Sequence, residues 1–116
     1  MQLQHIIDYC SAKPGAVKEF PFDDITLVVK VGNKMFALIK LSEPYRINLK
    51  CEPLYALELR KQYNAVTAGY HMNKKHWNTV SFDGDVPESL LREWIDDSYQ
   101  LVLNGLTKKE REKLEI

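Results

Sequence analysis

The sequence predicts an α+β fold, a single antiparallel β-sheet with helices packed on one face. Three observations carry it. Apolar residues recur at helical spacing near both ends of the chain, the middle alternates apolar with polar residues at period two, and a Gly-Asn dipeptide joins two of the alternating runs. Strands joined by tight turns pair antiparallel, and a sheet with one apolar face needs helices to cover it.

Each element follows in order. Leu3, Ile6, Ile7 and Cys10 mark a first helix that stops before Pro14-Gly15. Ile25 to Val31 and Lys34 to Leu41 are β-rich runs, and Gly32-Asn33 between them is a two-residue hairpin signal. Tyr45 to Lys50 alternates: Tyr45, Ile47 and Leu49 face one way, Arg46, Asn48 and Lys50 the other. Pro53 opens a second helix whose inner side is expected to carry Leu54 and Leu57, with Tyr63 as a further candidate. Asn78 to Phe82 reads as a fourth strand, with Val80 and Phe82 inward, and ends at Asp83-Gly84. Asp85 and Glu88, at capping-box spacing around Pro87, start a long helix with its core stripe at Leu91, Trp94, Ile95 and Val102. Thr107 and Glu110 repeat that spacing for a short last helix.

This arrangement places Leu27, Val29, Ile39, Ile47, Leu49, Val80, Leu91, Trp94 and Ile95 in a common core. The other sheet face, at least partly open, would carry Thr26, Lys30, Arg46, Asn48, Lys50, Thr79 and Ser81, with Val28, Phe36 and Leu38 alternating onto it.

With 116 residues and 45% hydrophobic content, residues 1–116 are expected to form one domain. The formal net charge is zero, so whole-molecule electrostatics recruit neither nucleic acid nor an anionic membrane. Local asymmetry exists, however. No acid lies between Glu58 and Asp83, a span holding Arg60, Lys61, His71, Lys74, Lys75 and His76. The next segment, to Leu101, sets Asp83, Asp85, Glu88, Glu93, Asp96 and Asp97 against Arg92 alone. Ordinary solvated faces are the simplest account of both blocks. The longest apolar run, Met35 to Ile39, is too short to span a bilayer, and Cys10 and Cys51 show no metal-finger or redox spacing. A soluble, unexported, cytoplasmic chain with reduced, buried thiols is expected, with no membrane contact and a monomer favoured.

Three stretches carry a family resemblance: "YCSAKPGAVKEFPF" from Tyr9 to Phe22, "HMNKKHWNTVSFDGDVP" from His71 to Pro87, and "DDSYQLVLNGL" from Asp96 to Leu106. In order and spacing the chain closely resembles the MmcQ/YjbR-like proteins of bacteria, from its first helix to its last. The resemblance implies a compact α+β fold similar to frataxin and to type III secretion chaperones. It also implies a "double wing" DNA-binding motif. Fold likeness alone does not transfer function.

The most recognisable segment is Asn73-Lys74-Lys75-His76-Trp77. Read as a nucleic-acid contact, Lys74 and Lys75 neutralise phosphates, Asn73 and His76 donate hydrogen bonds, and Trp77 offers a stacking plane. Read structurally, Asn73 caps one helical turn, Trp77 pins that turn to the core, and the lysines are solvated. The structural reading is favoured for Asn73 and Trp77, and both readings stand for Lys74 and Lys75. His71 and His76 are five apart with no ligating residue between them, which disfavours a metal site, and no cofactor is implied. Hydrolase-elbow, phosphate-loop, dinucleotide and zinc-protease motifs are all absent, so no enzyme is expected.

Two functions from different classes result. One is a DNA-binding domain that lays its hairpin and residues 71–79 on double-stranded DNA, through His71, Asn73, Lys74, Lys75 and His76 with Arg46 and Lys50 from the sheet. The other is a protein-interaction or small-ligand module using the open sheet face or a groove beside it. The basic block tips the balance to the first.

Overall fold

The fold is given by a computed structural model that describes residues 2–115. Helix α1 (Leu3–Ser11) is followed by strands β1 (Val17–Glu19), β2 (Thr26–Val31), β3 (Lys34–Lys40) and β4 (Arg46–Lys50). Then come α2 (Pro53–Gln62), β5 (Val66–Ala68), β6 (Trp77–Ser81), α3 (Glu88–Asn104) and α4 (Lys108–Lys113). The strands form one six-stranded sheet in the order β1-β2-β3-β4-β6-β5, every neighbouring pair antiparallel. The class is α+β, as the alternation predicts. No helix among the described residues is long and apolar enough to cross a membrane.

The nine residues assigned to a common core all lie in one buried cluster, with the stripe of α3 against β3 and β4. The β2–β3 hairpin turns at Gly32 (φ 57°) and Asn33 (φ 64°), both left-handed, as a two-residue turn that matches strand twist requires. Thr107 and Glu110 form the predicted capping box at the start of α4.

Several local expectations are corrected. The sheet has six strands and not the four that the sequence predicts, the additional β1 and β5 being three residues each. Phe36, assigned to the open face, is fully buried in the core. A β-bulge sets it there: Val29 pairs with Ala37 while Lys30 pairs with Met35, so Phe36 is the extra residue and turns inward beside Ala37. Helix α2 buries Ala56 and Leu59, while Leu54 and Leu57 are 75% and 51% exposed. The small Ala56 lets the helix sit close enough to β6 for Asn78 Nδ2 to donate to the Ala56 carbonyl (3.3 Å). Tyr63 follows the helix as its C-cap and packs edge-on against Trp94. The Asp85 cap does not form. Pro87 holds the N-cap position of α3, and the Asp85 carboxylate instead accepts from the amides of Asn64 (3.0 Å) and Ala65 (2.9 Å). Glu88 pairs with Arg92 one turn on.

Asp96 was read as a solvated surface acid, yet it accepts from the Tyr9 hydroxyl (2.7 Å) and pairs with Lys13, which ties α1 to α3. Tyr99 adds a bond from its hydroxyl to the Pro14 carbonyl (2.6 Å).

Both cysteines are buried. Burial pushes the Cys10 thiol up to about 12 and the Cys51 thiol up to about 11. Thiolate, the reactive form, is therefore scarce at pH 8. Neither cysteine is expected to react with a disulfide reagent at pH 8 until the chain is unfolded in denaturant. Rapid titration of either thiol in the native protein would contradict the packing.

Candidate functional site

The face of the sheet turned away from the helices is ordered by strand register. One cross-strand row reads Thr26, Lys40, Arg46, Ser81, and the next Glu19, Val28, Leu38, Asn48, Thr79, Thr67. A third, at the hairpin-tip end, reads Val17, Lys30, Met35 on β1 to β3 and Lys50, Trp77 on β4 and β6. Val28, Leu38 and Trp77 form a second buried cluster on this face, with Met35 and Met72 against it. Trp77 is thus an anchor, 8% exposed, but for this face and not for the main core. It offers no free stacking plane.

Residues 69–76 fold back from β5 across the face. Gly69 permits this approach: its amide donates to the Trp77 carbonyl (2.9 Å), and a Cβ there would lie 2.7 Å from the Trp77 Cβ. The Tyr70 amide then donates to Thr79 Oγ1 (2.9 Å), and Asn48 Nδ2 donates to the Tyr70 carbonyl (3.1 Å). Thr79 Oγ1 donates in turn to Asn48 Oδ1 (2.5 Å), which closes a polar network beneath the segment. His71 is left-handed (φ 57°), and this reverses the chain toward the turn at Asn73.

That turn is built as the structural reading expects. Asn73 Oδ1 accepts from the Lys75 amide (3.0 Å), and the His76 amide donates to the Asn73 carbonyl (3.2 Å). Arg60 belongs to the scaffold as well: Nε donates to Asn78 Oδ1 (2.6 Å), and the guanidinium also reaches the carbonyls of Lys74 and Trp77. The His76 carbonyl accepts from the Cys51 amide (2.8 Å). With its backbone fixed, the turn presents exposed Lys74 and Lys75, the former reaching back to the Gly69 carbonyl (3.3 Å).

The seven residues singled out in the sequence therefore fall into two groups on one face. Asn73, Lys74, Lys75 and His76 lie on the turn that leads into Trp77, and Lys50 is the cross-strand partner of Trp77. Arg46 and His71 lie at the opposite end, where Arg46 stacks on the Tyr70 ring (4.2 Å) and Tyr70 lies against His71 (4.0 Å). Arg46 and Lys50 are four residues apart on one strand, about 13 Å.

The Arg46 end borders a groove of about 440 Å³. The groove is lined by Phe22 and Ile25 from the segment that leads into β2, by Tyr70, His71 and Met72 of the crossing segment, and by Lys40, Arg46 and Asn48 of the sheet. Lys40, Tyr70 and Phe22 were not singled out as site residues. The signal for Lys40 was its alternation with Leu38, and for Tyr70 its place in the acid-free stretch. Among the described residues, Lys40, Arg46, Lys50, Lys74 and Lys75 take part in no ion pair, whereas Lys30 is held by Glu19 (2.8 Å).

A sequence model of the YjbR family matches residues 11–101, most of the chain and every strand of the sheet. The chain belongs to the YjbR family. It is 36% identical over 115 residues to an Escherichia coli protein named "Uncharacterized protein YjbR", covering 98% of each chain. A second Escherichia coli relative, "Uncharacterized protein YbdF", is 40% identical over 82% of this chain and 79% of its own. Among solved structures, the Deinococcus radiodurans protein DR2400 superposes with a TM-score of 0.91 at 42% identity, over 99% of this chain and 88% of that one. A Pseudomonas syringae protein gives 0.77 at 28% identity, over 88% of this chain and 99% of its own. These YjbR-family relatives carry no enzymatic name.

Proposed function

We propose that this chain is a non-enzymatic, cytoplasmic DNA-binding protein that holds the phosphates of a duplex at the hairpin-tip end of its open sheet face. One observation carries the reading. Lys74 and Lys75 are exposed on a turn whose backbone is held by Asn73, Arg60 and Cys51, so two cations are displayed on a fixed mount without an acidic partner among the described residues. Lys50 extends the basic patch along the sheet, and His76 and Asn73 add neutral donors. Because Trp77 is buried, stacking drops out of this interaction and phosphate contacts remain. Base selectivity should accordingly be low, since the turn carries no arginine and the Asn73 amide oxygen is already taken by the Lys75 amide.

The double substitution Lys74→Glu, Lys75→Glu tests this. Affinity for a fluorescent duplex should fall while the melting temperature stays nearly unchanged, because neither side chain supports the core. The unmodified protein should lose affinity with rising salt at a slope of about 0.9 per phosphate neutralised, and the variant's slope should be flatter by roughly two units. Absence of binding at low salt, or indifference to the substitution, would move the function to a protein-interaction or small-ligand module using the open sheet face or the groove beside it, where Phe22, Ile25 and Tyr70 are exposed.

A further inference from the structure

We propose that the groove at the Arg46 end of the open face is a separate binding site for a nucleotide-like ligand, a flat aromatic ring carrying a phosphate. It goes beyond the duplex reading because it uses residues at the other end of the same face. The first support is electrostatic. Lys40 and Arg46 are direct cross-strand partners and both line the groove, and like charges so placed repel each other unless an anion sits between them. No carboxylate pairs with either among the described residues.

The second support is preorganisation. One face of the Arg46 guanidinium rests on the Tyr70 ring, and Tyr70 is itself fixed through its amide on Thr79 and its carbonyl on Asn48. A guanidinium held over a ring keeps donors free for two-point contact with a phosphate, and less side-chain freedom is lost on binding.

The third is the apolar part. Phe22 is 64% exposed at the groove, whose lining also holds Leu38 and Met72. A large aromatic ring left open to water at a cleft fits a flat ring lying against it. The cleft volume, about 440 Å³, falls within the roughly 300–1,000 Å³ usual for small-molecule sites. Asp23, at the Phe22 rim, already accepts from the amides of Ile25 (3.0 Å) and Thr26 (2.7 Å). Its charge repels a phosphate from that rim, which puts the phosphate at Lys40 and Arg46 and the ring beside Phe22.

The ligand has two possible sources, a free mononucleotide or an unpaired nucleotide in a single strand. Amide NMR shifts would be followed during titration with a nucleoside 5′-monophosphate, the matching nucleoside, inorganic phosphate, a 5′-phosphorylated single-stranded hexamer and a blunt duplex. The nucleotide should move the amides of Arg46, Asn48, Tyr70 and His71, and the nucleoside or phosphate alone should bind about tenfold more weakly or worse. Saturation by the free nucleotide identifies a small-molecule site, and saturation by the strand alone an unpaired-nucleotide site. Phe22→Ala, at a largely exposed position, should weaken binding of whichever probe saturates by about tenfold without changing duplex binding, and Arg46→Gln should weaken binding of that probe at least as much. Lys74→Glu, Lys75→Glu should leave the groove unaffected. The proposal is overturned if neither probe shifts those amides at millimolar concentration, if inorganic phosphate binds as well as the nucleotide, or if Phe22→Ala is without effect.

Discussion

Trp77→Ala is expected to destabilise the protein by about 3 kcal/mol, near the lower end of the range of about 3–5 kcal/mol for removing a buried large aromatic. The indole is buried against Val28 and Leu38, and its backbone is pinned by the β4 ladder and by the Gly69 amide, so the strand cannot collapse into the space. What can move are Met35 and Met72, unbranched side chains at the edge of the cluster that partly refill a cavity. The melting temperature should fall by roughly 10–20 °C, since about 1 kcal/mol corresponds to a few degrees in a chain of this size. Thermal unfolding followed by circular dichroism measures it. A melting temperature within a degree or two of the parent would show that Trp77 is not an anchor and would return it to the exposed stacking role.

Ser98→Ala is the second large effect, about 2–4 kcal/mol, although it removes a single oxygen. Ser98 is fully buried on α3, where its hydroxyl donates to the Phe36 carbonyl (2.6 Å) and accepts from the Lys50 amide (2.9 Å). The bulge takes Phe36 out of regular pairing and β4 ends at Lys50, so both backbone groups depend on this hydroxyl. Each buried polar group left without a partner costs about 1–3 kcal/mol, far more than the few tenths that alanine gains in helix propensity. Ser89→Ala, exposed on the same helix, isolates that propensity gain and should be neutral or slightly stabilising. If denaturant titration gave the two variants equal stability, the bridge between helix, bulge and strand end would be refuted.

The parts of the fold legible in the sequence are those whose signal is periodic. Leu27, Val29, Ile39, Ile47 and Leu49 alternate, and Leu91, Trp94 and Ile95 repeat at helical spacing, because burial on one side imposes those periods. Strand β1 has no such signal. Val17, Lys18 and Glu19 form a three-residue edge strand with little burial, and only its ladder to β2 defines it. Phe36 failed because one inserted residue breaks the alternation without changing composition. In α2 the rule of placing large apolar residues inward chose Leu54 and Leu57, while close approach to the sheet required the small Ala56.

The candidate site divides in the same way. Which side chains are basic, and that Asn73 caps a turn, is local information. That Arg46 meets Tyr70 depends on a left-handed His71 and on Asn48 and Thr79 catching the Tyr70 backbone, contacts between residues 22 to 31 positions apart in two cases. No short-range pattern encodes these. Lys40 beside Arg46 follows only once the β3–β4 register is known.

The strand order also has a consequence for a chain as it is being made. β6, the last strand in sequence, lies between β4 and β5, so β5 has no ladder partner when it first emerges and β4 shows a bare edge. Roughly thirty residues separate the end of β4 from the end of β6, a few seconds of translation at about 5–20 residues per second. During that interval Ile47 and Leu49 stand on an open ladder, and α3, which covers them, has not yet left the ribosome. The sheet closes when β6 fills the gap between β4 and β5, and the nascent chain is most open to pairing with a stranger just before Trp77 arrives.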